Sequence, residues 1–408
     1  MKKKTKPSQR RGQGELVRQI CNLIPPFLVS RIARQTGVDA KARTFSTWSH
    51  VVAMMFAQLT HAISLNDVCD ALRLWSGPLS AIRGATAPAR NTLAHANKER
   101  DAKLAETLLW RMLEHLQEQT PGFGLGRRRL PRFKRCVQAV DATVIRLVAN
   151  CMNWAKHRRR KAATKLHVRL DLQTMLPRFA ILDLQPQHEN TRAPELCAGL
   201  RSGEIAIFDK AYLGLEHLRQ LTQRGVCWVT RAKDSMDFRV VKKLCPSGGQ
   251  VVRDDLVTWR VPKSKRLYPE TLRRLVLLVE MEGQELEMVF LTNNLEWAAT
   301  TVGELYRCRW DIEKFFKSIK QSLQLCDFLG NSANAVHWQV WIALLVYVLL
   351  RYLAHLSRWA HSFSRLWTVV RSALWRKLHL RPFLESYGTA GGSFRLLARP
   401  EQAYFAGI

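Results

Sequence analysis

The segment YRCRWDIEKFFKSIK, residues 306–320, contains the charged pattern that decides the predicted fold. It lies within a predicted amphipathic helix, Thr300–Leu325, whose apolar residues recur at three- and four-residue spacing. At about 100° per residue, four polar side chains share a sector of about 60° on the border of the apolar face. These four are Tyr306, Arg309, Glu313 and Lys320. Such a row can follow a phosphate backbone, whereas an ordinary salt bridge between Arg309 and Glu313 is the simpler alternative.

Two further acids interrupt apolar strands. Asp141 directly follows Val137–Val140, and Asp209 follows the run Ile205–Phe208. A carboxylate in a buried strand is unfavourable unless it is paired or holds a metal. Together with Glu313, these acids form an all-oxygen ligand set that suits Mg²⁺ or Mn²⁺. Two such ions about 3.5–4 Å apart can hold the attacking and leaving oxygens of a phosphoryl transfer.

The same segments resemble a known family. The spacing Tyr-x2-Arg-x3-Glu-x6-Lys across residues 306–320 is similar to the signature of the DDE transposases of the insertion-sequence-four family of bacterial mobile elements. Val140–Thr143 resembles the block that carries the first acid of that family, and Phe208–Tyr212 resembles the block of the second. The resemblance covers about residues 135–355, and residues 1–125 look like the helical leader found in part of the family.

The resemblance implies an α/β fold with an RNase H-like mixed-sheet catalytic core and a β-rich insertion, preceded by an all-helical N-terminal domain. The first two strands would carry and flank Asp141, the fourth would end on Asp209, and the helix would supply Glu313. These three acids would be catalytic and would hold two ions, Mg²⁺ or Mn²⁺. The resemblance also implies DNA-phosphate contacts near the cleaved end from Tyr306, Arg309 and Lys320.

Several other residues near these motifs have weaker interpretations. In relatives an insertion-domain tryptophan stacks on a flipped base, and the candidates here are Trp228 and Trp259. Trp228 is predicted to be core, whereas Trp259 looks exposed and could equally be an ordinary strand residue. Lone histidines are more often structural, so no role is assigned to the neighbouring polar residues His167, His188 and Lys210. Asp171 and Asp183 lie in more polar contexts and are predicted to end strands.

The charge of the chain favours a polyanionic partner. Sixty-four Lys and Arg against 33 Asp and Glu give a net charge of +31 and a pI of about 10.4. A compact fold with this charge repels itself unless an anionic partner is usually bound, and nucleic acid is the obvious one. Two basic runs, residues 127–135 and Lys156–Lys165, are predicted to contact the DNA backbone without reading sequence.

The sequence favours neither a membrane protein nor a secreted one. Residues 1–12 are basic and precede no apolar run, so they are not a signal peptide. The apolar run Trp341–Leu350 is too short to span roughly 30 Å of hydrocarbon and predicts a buried core helix. Nine cysteines without a Cys-x-x-Cys pair indicate a reducing cytoplasm rather than a zinc site or a disulfide framework.

Composition predicts three segments. Residues 1–12 form a basic tail, residues 13–126 a helical domain predicted to bind DNA, and residues 127–408 the catalytic domain with its insertion at about 234–292. The boundary follows from a glycine cluster and the basic block behind it. The helical domain permits a helix-turn-helix-like unit, and a plain helical bundle is the alternative.

These observations predict a DNA transposase that cleaves the ends of its element with metal ions and then transfers the strands. The expected partner is double-stranded DNA, both the terminal inverted repeats and the target, and analogy implies a dimer that pairs two ends in the cytoplasm, at the nucleoid. Two alternatives stay open: a nuclease or resolvase on the same core, and an inactive DNA-binding protein derived from a transposase.

Overall fold

A computed structural model of the chain describes residues 14–38, 44–125, 135–146, 156–157, 161–184, 188–244, 249–281, 283–322 and 329–387. The chain divides into two compact units: Met1–Ala96, Lys103–Leu113 and Trp341–Ile408 in the first, and Asn97–Ala102 and Glu114–Val340 in the second. The sequence predicted one boundary between residues 126 and 127, whereas the structure groups the segment from Trp341 onward with the N-terminal helices. The predicted basic tail lies outside the described residues.

The described residues contain fifteen α-helices. They are α1 Leu16–Cys21, α2 Pro26–Thr36, α3 Thr47–Thr60, α4 Leu65–Leu74, α5 Ser76–Ser80, α6 Arg90–Glu99, α7 Lys103–Gln119, α8 Glu189–Cys197, α9 Leu215–Gln223, α10 Pro262–Leu267, α11 Ala299–Arg307, α12 Trp310–Lys317, α13 Ala333–Leu356, α14 Phe363–Ser372 and α15 Leu380–Tyr387.

The described residues of the second unit contain ten strands. They are β1 Val137–Arg146, β2 Lys156–His157, β3 Lys161–Asp171, β4 Leu176–Asp183, β5 Ile205–Phe208, β6 Cys227–Arg231, β7 Phe238–Lys243, β8 Val251–Trp259, β9 Leu272–Met281 and β10 Gln284–Thr292. Asp171 and Asp183 are the last residues of β3 and β4, so the prediction that they end strands is confirmed.

Helix α3 shows how the helical unit is built. The side chain of Ser46 accepts a hydrogen bond from the backbone N–H of Ser49 at 3.0 Å and so caps the N-terminus of the helix. Twelve of the fourteen residues of α3 are buried, because its apolar and small residues surround the whole helix. A helix that is apolar on every side forms the centre of a bundle, and the predicted helical character of this region is confirmed.

Helix α13 contains the most apolar stretch of the chain. Every residue of Trp341–Leu350 is buried, so the prediction of a buried core helix is confirmed. Among the described residues, α13 alone is long and apolar enough to cross a membrane by length and composition, and 78% of its most apolar window is buried inside the protein.

The strands of the second unit form one mixed sheet. Strand β1 pairs antiparallel with β3, and β3 pairs antiparallel with β4. On its other edge β1 pairs parallel with β5, and β5 pairs parallel with β6. The order β4-β3-β1-β5-β6, three antiparallel strands followed by two parallel ones, is the predicted RNase H-like core.

The β-rich insertion continues this sheet. Strand β10 pairs antiparallel with β6, and β9, β8 and β7 follow in that order to the edge. The predicted β-rich character of residues 234–292 is confirmed, with the short helix α10 between β8 and β9. The insertion therefore extends the catalytic sheet instead of forming a sheet of its own.

The single helix predicted at Thr300–Leu325 is wrong in detail. The structure has α11 and α12, then a π-helical turn at Ser318–Ser322, and the last three predicted residues lie outside the described part. At the break the backbone N–H of Arg309 bonds to the carbonyl of Tyr306, three residues earlier, at 3.0 Å. A hydrogen bond over three residues tightens the helical turn, and a π-helical turn widens it. The angle between successive side chains is therefore not a constant value of about 100° along this segment.

Candidate active site

Asp141 and Asp209 lie at the same level of the sheet. Val140 of β1 and Phe208 of β5 are paired residues in the parallel ladder, and each acid is the next residue along its chain. Both carboxylates are also held by the backbone. Oδ1 of Asp141 accepts a hydrogen bond from the N–H of Ala142 at 2.8 Å, and Oδ1 of Asp209 accepts one from the N–H of Lys210 at 2.8 Å.

Arg309 connects the sheet to helix α12. Its Nη1 donates to Oδ2 of Asp141 at 2.7 Å, and its Nη2 donates to Oε1 of Glu313 at 3.0 Å. The side chains of Arg309 and Asp141 are 14% and 18% exposed, whereas that of Glu313 is 53% exposed. The guanidinium therefore lies between two of the predicted catalytic carboxylates, one partly buried and one facing solvent.

Tyr306 contacts the third carboxylate. Its hydroxyl donates to Oδ1 of Asp209 at 3.4 Å, and its ring packs against Phe290 of β10 with centroids 4.9 Å apart. Burial raises the pKa of Tyr306 to about 12, so the hydroxyl stays a hydrogen-bond donor at neutral pH. Lys320 lies in the π-helical turn and is partly buried. The structure thus brings five of the six predicted site residues together, and the role of Lys320 stays a prediction.

The three carboxylates form one electrostatic site. The pKa of Asp141 is raised to about 6, mainly by burial and to a smaller extent by the negative charges of Asp209 and Glu313. The positive charge of Arg309 and the hydrogen bond from Ala142 oppose this rise. The ionised form of Asp141 therefore depends on a neighbouring cation for stabilisation, and in this structure that cation is the guanidinium of Arg309.

These residues fit a divalent metal in their chemistry. All the donors are carboxylate oxygens, the ligands that Mg²⁺ and Mn²⁺ prefer, and Asp141 and Glu313 already share one cation. Within the described residues no three His, Cys, Asp or Glu side chains are arranged around a common point for a metal. The donor set suits such an ion, and Arg309 occupies the space between two of its members.

The comparisons with known proteins place this site in a family. The family model described as the transposase DDE domain matches residues 132–349, and a domain of unknown function, DUF4372, matches residues 13–81. The chain belongs to the DDE transposases. The matched residues contain the whole RNase H-like core and all six predicted site residues.

Individual relatives agree with this assignment. A putative transposase of Sinorhizobium fredii is 32% identical over 275 residues, which cover 66% of this chain and 73% of the relative. A probable insertion-sequence transposase of Geobacillus stearothermophilus is 26% identical and covers 80% of this chain and 81% of its own length. The transposase of the element IS4 of Escherichia coli is 25% identical over 46% of this chain and 43% of its own. The resemblance to the insertion-sequence-four family is thereby confirmed.

The two candidate tryptophans of this transposase are both buried. Trp228 is fully buried, as predicted, and its indole N–H donates to Thr222 at 3.0 Å. Of the two interpretations of Trp259, the exposed one is wrong and the ordinary strand residue is confirmed, because Trp259 lies in β8 and only 4% of its surface is accessible. Phe238 of β7 stands opposite Trp259 on β8, and the two rings pack with centroids 4.8 Å apart. Trp259 is therefore part of the core of the extended sheet.

A buried polar network beneath the site was not predicted from the sequence. His167 lies within 3.0 Å of the Tyr212 hydroxyl through Nδ1 and within 3.3 Å of Asp183 through Nε2. Arg192 donates to both carboxylate oxygens of Asp183. Since Tyr212 ends the turn that begins after Asp209, the network ties that turn to β3 and β4. A histidine inside an apolar strand was the available signal, but its partners are distant in sequence.

The other residues near the motifs lie at the surface. His188 is exposed, and the Lys210 ammonium lies 4.0 Å from the exposed Asp234. Of the first basic run, only Arg135 lies within the described residues. The second run begins in β2 and continues in β3, with residues 158–160 outside the described part. The predicted DNA contacts of both runs stay predictions.

Proposed function

We propose that this transposase cleaves DNA at the ends of a mobile element and joins the freed ends to target DNA. The observation that carries the proposal is the convergence of Asp141, Asp209 and Glu313 around the side chains of Arg309 and Tyr306. In the cleavage step a water oxygen bonds to the scissile phosphorus while the bond to the 3′ oxygen breaks and that oxygen takes up a proton. In the transfer step the oxygen of the new 3′-hydroxyl bonds to a phosphorus of the target while that phosphorus loses its bond to the target's own 3′ oxygen, which leaves and takes up the proton.

The three carboxylates would hold two Mg²⁺ or Mn²⁺ ions. When bound, such ions stabilise the charge on the attacking and leaving oxygens of an in-line displacement. The protein's own part is to fix the carboxylates: the Lys210 N–H and the Tyr306 hydroxyl hold Asp209, and the Ala142 N–H holds Asp141. A carboxylate that is already oriented loses little entropy when it binds an ion or a substrate.

Double-stranded DNA is the proposed partner. The net charge of +31 favours a phosphate backbone, and Lys320 and the two basic runs are candidate phosphate contacts. Pairing of two terminal inverted repeats requires two catalytic units, which favours a dimer on DNA. Such a protein works where the chromosome is, in the cytoplasm at the nucleoid.

Two alternatives differ from this proposal in what they do to DNA. A nuclease or resolvase on the same core would cleave without joining the ends to a target, and an inactive derivative would bind DNA without cleaving it. The presence of all three acids within hydrogen-bonding reach of Arg309 or Tyr306 favours an active enzyme. Joining of a labelled end to target DNA separates the transposase from the nuclease.

The test uses the full chain, a labelled duplex that carries the element's own end, an unlabelled target plasmid, and Mg²⁺. We expect nicking at the end followed by joining to the plasmid, and Asp209→Asn should abolish both while it still binds the duplex. Asp234→Asn is the matched control, because this acid is fully exposed beside Lys210. Nicking without joining would favour the nuclease, and binding without nicking would favour the inactive derivative.

A further inference from the structure

Arg309 and a divalent metal ion need the same carboxylate oxygens. The guanidinium donates to Asp141 at 2.7 Å with one terminal nitrogen and to Glu313 at 3.0 Å with the other. Its remaining nitrogen, Nε, is buried and makes no hydrogen bond within the described residues. Both strong contacts of the side chain therefore go to acids of the proposed metal site.

The two cations cannot both occupy this position. Charge-assisted hydrogen bonds from a guanidinium use the carboxylate lone pairs that would otherwise face a metal ion. Asp141 and Arg309 are mostly buried, so water screens their interaction weakly and a second positive charge beside the guanidinium is repelled. A metal ion that binds Asp141 and Glu313 must therefore move Arg309 away from at least one of them.

A DNA phosphate offers the released guanidinium another anion. Guanidinium groups bind phosphate oxygens as well as carboxylate oxygens, and on a phosphate both terminal nitrogens of Arg309 could donate to one anion instead of to two carboxylates. Arg309 lies at the start of α12, between Tyr306 and Glu313, where a strand end bound at the three acids would pass.

We propose that Arg309 is an exchangeable internal cation, which neutralises Asp141 and Glu313 until DNA phosphate draws it away and a divalent ion takes its place. DNA and metal then bind cooperatively, because each favours the same position of one side chain. The inference rests on the proposed function, since it assumes that the three acids hold metal during DNA cleavage. The test must distinguish this exchange from a purely positioning role, in which Arg309 holds the acids in place and a metal binds beside it.

The two roles predict opposite changes in metal affinity. Binding of Mn²⁺ is measured from the loss of the free-ion electron paramagnetic resonance signal, with and without a short duplex of the element's end. Without DNA, Arg309→Gln should bind Mn²⁺ about fivefold or more tightly than the parent, the lower range of typical coupling between sites. The duplex should raise the Mn²⁺ affinity of the parent clearly more than that of the variant.

Arg307→Gln is the matched control, because it removes the same charge two residues away on an exposed side chain, and it should behave as the parent. If Arg309→Gln does not fold, Arg309→Lys decides, because a lysine cannot bridge both acids and should bind Mn²⁺ more tightly than the parent. Equal or weaker Mn²⁺ binding by the folded variant overturns the proposal. A parent that shows the expected Mn²⁺ pattern but never nicks DNA would disprove the proposed function alone.

Discussion

Val140 on β1 stands opposite Phe208 on β5 in a parallel ladder, so the acids that follow them, Asp141 and Asp209, lie at the same level of the sheet. Both apolar residues are fully buried, which locks the register of the two strands. A shift of one residue would turn a buried side chain to the other face of the sheet. The relative position of the two carboxylates is therefore set by the hydrophobic core beneath them.

This arrangement predicts that the two acids act as a unit. Asp141→Asn and Asp209→Asn should each lower the nicking rate by about a thousandfold or more, because residues that share one catalytic task fail together. The double variant should be no slower than either single variant. Rates are measured on one labelled element end with equal binding checked by gel shift. A double variant slower by the product of the two single effects would mean that the acids have independent roles.

Trp259 provides a prediction about stability. Trp259→Ala should lower the free energy of unfolding by roughly 3–5 kcal/mol, because it removes a large buried ring packed on Phe238. Trp259→Phe should cost less and should still nick DNA. Urea denaturation measures the first effect and the end-nicking assay the second. Unchanged stability of Trp259→Ala together with lost DNA binding would return this residue to the exposed, base-stacking role.

The elements could be predicted from the sequence because their signals are local. Runs such as Ile205–Phe208 are short, apolar and rich in β-branched residues, and they became strands at the expected places. The positions of Asp141, Asp209 and Glu313 on these elements followed directly. The resemblance to a family added the order of the strands, which no local pattern contains.

The pairings and the helix break could not be predicted, because distant residues determine them. Trp259 looked exposed in its local sequence, and only the pairing of β7 with β8 places Phe238 on it. In the same way, the break before α12 coincides with the ion pair between Arg309 and Asp141, 168 positions apart in sequence. The local pattern of apolar and polar residues contains neither the strand pairing nor the ion pair.

His217 makes the stability of the fold depend on pH. It is 7% exposed on α9, its Nε2 is buried without a partner in the described residues, and burial lowers its pKa to about 4, with Arg224 acting in the same direction. The unfolded chain therefore takes up the proton more readily than the fold, so stability should fall as the pH drops from about 6.5 towards 4.

Replacing His217 should remove its contribution to the pH dependence of stability. Between pH 8 and pH 5 the free energy of unfolding of His217→Leu should fall by about 2 kcal/mol less than that of the parent, since one histidine with this lowered pKa contributes about that much. Denaturant unfolding at both pH values measures the difference, and His188→Leu, at an exposed position, is the control. The same pH dependence in the parent and in His217→Leu would show that this imidazole does not titrate with unfolding.

Glu313 and Lys320 should separate catalysis from DNA binding. Glu313→Gln keeps the size of the side chain but removes a proposed metal ligand and the ion-pair partner that holds Nη2 of Arg309. Nicking should fall to background, while binding of the end duplex in chelator stays equal or tightens, because one negative charge facing the phosphates is gone and Arg309 is held by Asp141 alone.

Lys320→Ala should weaken binding and lower the slope of log affinity against log salt by about 0.9, the value for one lost phosphate contact. Gel shifts at several salt concentrations and nicking of one labelled end compare both variants with the parent. If Glu313→Gln nicks at the parent rate, this acid is only a salt-bridge partner of Arg309 on a solvated helix, and the third metal ligand must be sought elsewhere.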